Sequence, residues 1–143
     1  MFPFSDFAKN PHATLKKFWS PTEFMKTSAL QWGIDNEENA AHELEVHLGG
    51  EISRCGLFVS KMHYFIGASP DGIFQDFLIE IKCPFILRHS KPNDFSKLTK
   101  QQKVSFCCTL TAGKLKLKKS HKYYGQIMCQ MYVTGYKKTI FMI

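Results

Sequence analysis

The chain has 143 residues and a formal charge of +7, with 44% apolar and 14% aromatic residues. That length suits one domain, and that composition supports a real core and excludes a disordered polyelectrolyte. The excess of positive charge favours a polyanionic partner, and no apolar run reaches membrane-spanning length.

Five cysteines, Cys55, Cys83, Cys107, Cys108 and Cys129, show no paired spacing for zinc. Their odd number, and an opening Met1-Phe2-Pro3-Phe4 too short for a secretory signal, predict an intracellular reducing compartment, cytoplasm or nucleus. Residues 1–26 are punctuated by Pro3, Pro11 and Pro21 and read as an arm packing on the core, with a short helix around Thr14–Trp19.

A long helix is predicted over Ser28–Leu48. Ser28 and Gln31 form a capping-box pattern, and Gly49-Gly50 closes the helix. Leu30, Ile34, Ala41, Leu44 and Leu48 make a core stripe with Glu37 in the one polar step. Two readings of Glu37 stand. A carboxylate on a buried face needs a partner or a metal; alternatively the face is wider and Glu37 reaches solvent at its edge. Glu38, Glu43 and Glu45 read as a solvated face.

Short strands follow, Arg54–Ser60 and His63–Ala68, which with Ile73-Phe74 and Phe77–Lys82 predict a small mixed sheet. His63 has no partner at metal spacing and reads as an ordinary histidine. Pro70-Asp71-Gly72 is a turn that fixes a carboxylate at a bend. In Phe77–Lys82, Phe77, Ile79 and Ile81 share one face while Leu78, Glu80 and Lys82 share the other. Glu80 and Lys82 are then neighbours at roughly 6–7 Å. Asp71 and Glu80 converge if the two segments form a hairpin through Gln75-Asp76. Two converging carboxylates suit Mg²⁺, and a lysine beside that metal can activate a water, a combination that favours phosphodiester hydrolysis.

After Pro84 comes a loop with Arg88, His89, Lys91, Pro92 and Asn93, then a helix over Asp94–Phe106 capped by Asn93 or Asp94. From Lys97 to Lys122 there are eight lysines and no acid. Leu115 and Leu117 alternate with Lys114, Lys116 and Lys118, as in a strand with a lysine face. Such a face can solubilise or guard an edge; beside a phosphate-cleaving site, Lys114, Lys116, Lys118, Lys119 and Lys122 read as phosphate contacts. The last helix spans Ser120 to Val133 and ends at Gly135. Tyr124, Ile127, Met128 and Met131 form its core side, with Lys119, Lys122, Gln126 and Gln130 opposite; on spacing alone the glutamines are an ordinary exposed face, and only a family resemblance would set Gln130 among DNA-facing residues. Thr139–Ile143 reads as a final strand.

Gly67-Ala68-Ser69-Pro70-Asp71-Gly72 followed by Glu80-Ile81-Lys82-Cys83-Pro84-Phe85 resembles the PD-(D/E)xK nucleases, in their lambda-exonuclease-like, YqaJ-type viral recombinase branch. Trp32–Glu37 is similar to that family's Gly-x-x-x-Glu helix motif, and Tyr123–Tyr132 to its glutamine-bearing helix. The resemblance runs from about Leu30 to Ile143 and implies one nuclease domain over 1–143. Its α/β fold would be a restriction-endonuclease-like core, a central mixed β-sheet flanked by helices.

The implied activity is Mg²⁺- or Mn²⁺-dependent exonuclease digestion of double-stranded DNA from an end, in recombination. Some relatives form ring-shaped trimers. By resemblance, Asp71 and Glu80 bind the metal with the Ile81 carbonyl, Glu37 completes the acidic site, Lys82 activates water, and Gln126 supports it, with Gln130 a second candidate. The family's arginine and Ile-Thr-Ala-Ser-like segment have no match before Arg54, so the arm is expected to be truncated. That weakens the case for 5′-end selection more than the case for metal binding. A structure-specific or restriction-type endonuclease on the same fold, and a degenerate nucleic-acid-binding module, are the alternatives.

Overall fold

A computed structural model describes residues 27–89 and 98–143. The expected arm, and the expected cap at Asn93 or Asp94, lie outside them. Helix α1 spans Ser28–Leu48, the bounds the sequence predicts. Its cap is Thr27, not Ser28: the Thr27 hydroxyl accepts from the Leu30 amide at 3.2 Å. Gly49, at φ +71°, ends the helix in the left-handed conformation that suits glycine. The stripe is buried only in the second half, at Ala41 and Leu44, while Ile34 is 59% exposed.

Strand β3 (Gly72–Phe74) turns through Gln75-Asp76 into β4 (Phe77–Ile81), with Gly72 opposite Ile79 and Phe74 opposite Phe77. The last strand, β7 (Lys138–Met142), lies parallel to β4 on its other side and sets Glu80 against Phe141. The result is a mixed three-stranded sheet, β3-β4-β7, with β4 central. A central strand is covered on both faces, and Leu78, Ile79, Glu80 and Ile81 are buried, with Phe77 at its start half-buried.

The alternation then sorts the chemistry. Ile79 and Ile81, with Ile140 and Met142 of β7, pack on Ala41, Leu44 and Ile52. Full burial of each isoleucine contributes about 1.5–3 kcal/mol. The opposite face carries Leu78 and Glu80 towards helix α3 (Lys122–Thr134).

The expected first strands are shorter than read and stand apart. β1 (Phe58–Val59) and β2 (Gly67–Ala68) pair only with each other. Between them the backbone closes on itself, Ile66 N donating to His63 O at 2.8 Å, so ladder bonds give way to a turn. Ser53 joins Ile73 of the main sheet through an isolated bridge.

Of the helix expected over Asp94–Phe106, residues 94–97 lie outside the described residues; helix α2 spans Lys100–Ser105, with Leu98 and Thr99 outside it. Thr99 starts it: its hydroxyl accepts from Gln102 N, and the Gln102 side chain accepts from Thr99 N, a capping box the reading overlooked. Strand β5 (Cys108–Thr111), also unread, pairs with β6 (Lys114–Leu117) across Ala112-Gly113, both at positive φ as tight hairpins require. A second core gathers here from Leu87, Leu98, Phe106, Cys107 and Cys108, with Leu115, Leu117, Tyr123 and Phe141 against it.

α3 begins at Lys122, two residues after the expected start at Ser120, because its cap is His121. Its Nδ1 accepts from Tyr123 N at 3.2 Å. Gly135, at φ +82°, ends α3 as expected. No helix of the described residues is long and apolar enough to cross a membrane.

Candidate active site

Asp71 sits at the entry to β3. Its amide donates to Ile79 O at 3.0 Å, and its Oδ2 accepts from Ile81 N at 2.6 Å. The carboxylate thereby replaces a backbone partner at the end of β4. Glu80 projects from the next position and is fully buried. Lys82 follows β4; its amide is held by Met142 O at 3.0 Å.

The side chains meet at the Lys82 ammonium. Nζ contacts Glu80 Oε1, donates to Ile81 O at 2.8 Å, and lies 3.8 Å from Asp71 Oδ2. Tyr123 places its ring 5.7 Å from the same nitrogen. Asp71 and Lys82 are 18% and 22% exposed at the side chain, so the group opens to solvent on their side and not on that of Glu80.

Two glutamines from α3 close over Glu80. Gln126 Nε2 donates to Oε1 at 2.7 Å, and Gln130 Nε2 donates to Oε2 at 2.6 Å. Burial pushes the Glu80 carboxyl above its ordinary range despite the opposing pull of Gln130 and Lys82. Burial works to lower the Lys82 ammonium, but the hydrogen bond and charge of Glu80, with Asp71 behind, override it and raise its pKa.

The donor set around the ammonium is two carboxylates and one carbonyl. These are hard oxygens, the kind that suit Mg²⁺ or Ca²⁺, and a cation is already what they surround. The described residues hold no group of three His, Cys, Asp or Glu side chains placed to bind a metal, so the carbonyl is needed to make three donors.

The sequence profile of the YqaJ-like viral recombinase domain matches residues 8–137. The chain belongs to that family. Among solved structures it is similar to the alkaline exonuclease LHK-Exo from Laribacter hongkongensis, with 28% identity over 80% of this chain and 49% of that one, at a TM-score of 0.57. LHK-Exo in complex with dAMP matches at 25% identity over 82% of this chain and 50% of that one, at a TM-score of 0.58. The chain thus spans about half the length of LHK-Exo. No protein of curated function matches it significantly. The three-stranded mixed sheet between helices is the restriction-endonuclease-like α/β core the resemblance implied.

In this YqaJ-like chain several expected site residues stand elsewhere. Glu37 is exposed and not on the buried stripe, because α1 already leaves the core at Ile34. Its charge is felt by Cys83, whose thiol is raised chiefly by burial and next by Glu37. Gln130, expected on the DNA-facing side and also as the second candidate for the glutamine at the site, is 1% exposed and meets Glu80, whereas Met128 from the expected core side is 47% exposed. A buried carboxylate needs donors: Glu80 draws Gln130 inward, while Gln126 stays exposed and reaches Oε1 with its amide.

Lys114, Lys116, Lys119 and Lys122 are exposed. Lys118 is not: its ammonium donates to Lys103 O at 2.9 Å and Val104 O at 2.8 Å, at the C-terminal end of α2, which removes it from the free lysine face. Glu45, read as solvated, accepts from Ile52 N at 2.9 Å. His63 is satisfied by the Tyr132 hydroxyl at 2.8 Å, as an ordinary histidine would be. Tyr123 and the Ser69 carbonyl, which accepts from Gln130 at 3.3 Å, were not singled out. Their adjacency to the motif and to the glutamine helix was the available signal.

Proposed function

We propose that the chain is a divalent-cation-dependent deoxyribonuclease that digests double-stranded DNA from an end, in recombination. One observation carries the reading. A half-buried cation, the Lys82 ammonium, lies within reach of Glu80 Oε1, Ile81 O and Asp71 Oδ2. Mg²⁺ or Mn²⁺ is the cofactor, held by Asp71, Glu80 and the Ile81 carbonyl. When bound, it polarises the scissile phosphate and offsets developing charge.

The chain supplies the rest. Lys82, moved off its oxygens, positions the attacking water and handles its proton. Gln126 keeps Glu80 Oε1 turned towards that group. Exposed Lys114, Lys116, Lys119 and Lys122 contact backbone phosphates, which hold DNA without reading its sequence. Lys118, already paired, is left out of these roles, while Glu37, whose charge reaches Cys83 beside Lys82, completes the acidic site directly or through water. The likeness to an exonuclease crystallised with dAMP supports DNA as the polymer cut.

Digestion of linear and of closed circular duplex DNA, each with Mg²⁺ or EDTA, tests this. Mg²⁺-dependent loss of the linear form alone is expected. Cutting of the circle would move the assignment to an endonuclease. DNA binding without cleavage of either form would overturn the enzymatic reading.

A further inference from the structure

The two oxygens of Glu80 have different neighbours. Oε1 meets Lys82 and Gln126, while Oε2 meets Gln130 alone among the described residues. Gln130 Nε2 also donates to Ser69 O at 3.3 Å. That pair of acceptors fixes the amide orientation, since a flipped amide would set its oxygen against a carboxylate and a carbonyl. Gln130 is 1% exposed, and its Oε1 has no hydrogen-bond partner among the described residues. Burial here is arranged for the donor nitrogen and tolerates an orphaned acceptor.

We infer that Gln130 is a positioning residue that withholds Glu80 Oε2, so that Oε1 alone is presented to the cation and Mg²⁺ is selected over Ca²⁺. The inference rests on the metal-dependent reading above. Mg²⁺ demands near-octahedral geometry with few protein oxygens, whereas Ca²⁺ takes six to eight and accepts both oxygens of one carboxylate. The Lys82 ammonium already uses Oε1 and not Oε2. Oε1 also faces the side that holds Asp71 and the Ile81 carbonyl. Outer hydrogen-bond partners of ligands commonly set metal affinity in this way.

The test is calorimetric titration of the protein, without DNA, with Mg²⁺ alone and with Ca²⁺ alone. Gln130→Met keeps length and removes the donor. The preference for Mg²⁺ over Ca²⁺, as a ratio of Kd values, should fall about tenfold in this variant. An unchanged ratio in a folded Gln130→Met protein overturns the inference. Wild-type protein that binds neither ion overturns the metal-dependent reading, and the inference with it.

Should Gln130→Met not fold, infrared difference spectra of the wild type, with Glu80→Gln as reference, decide the matter. One-oxygen binding widens the gap between the two carboxylate stretches on addition of Mg²⁺. A narrowed gap would show both oxygens engaged and overturn the proposal.

Discussion

Ile81 donates its backbone amide to Asp71 Oδ2 at 2.6 Å, so the last residue of β4 holds the carboxylate that precedes β3. The bond does two things. It satisfies an amide at the strand end, and it aims Asp71 at the same cation that Glu80 touches from the adjacent position.

Asp71→Asn separates these roles. Asparagine still offers an oxygen to the Ile81 amide, so stability should change by less than about 1 kcal/mol. The charge is lost, and with it about 4 kcal/mol of transition-state stabilisation, roughly a thousandfold in rate. Thermal melts beside initial rates on linear DNA check this. A variant that melts far below the wild type would make Asp71 structural.

Gly72 is glycine for want of space. A Cβ there would lie 2.3 Å from Ile52 Cγ2 and 3.1 Å from Ser53 O. Gly72→Ala should therefore push β3 off the Ser53 bridge and cost about 1–3 kcal/mol. A urea midpoint lowered at constant slope would show it. An unchanged midpoint would mean that Ile52 yields freely.

Burial raises the Glu80 carboxyl in the folded chain. The folded protein then binds this proton more tightly than the unfolded one. The contribution to stability is full below the unfolded carboxylate pKa, about 4.3, and is lost as pH rises through the raised folded value. In EDTA, the Tm of the wild type minus that of Glu80→Gln should fall with pH across this window and then level. A difference that rises with pH would mean that Lys82 and the glutamines outweigh burial.

Much of this was legible because local signals agreed with tertiary ones. Gly49 and Gly135 ended their helices where read, and the alternation of Phe77–Lys82 placed Glu80 and Lys82 together. The α1 stripe misled at Ile34 and Glu37, since periodicity marks a face without saying how much of it is covered. Gln130 read as outward because a polar residue on a helix usually is. Its burial depends on a carboxylate 50 residues away. Lys118 read as one of a run, and only the hairpin that carries it reveals its target at the end of α2. The cap at Thr27 was lost to the adjacent Ser28, which has an equal claim by residue type.

The central claim is that the Lys82 ammonium stands where a divalent cation belongs and serves the hydrolysis. Lys82→Ala tests it, with Mg²⁺ binding measured by calorimetry and turnover on linear DNA measured beside it. Binding should hold or tighten, because a competing cation is gone, while turnover falls by about 10²–10⁴-fold. Mg²⁺ binding lost together with Lys82, or turnover unchanged without it, would contradict the account.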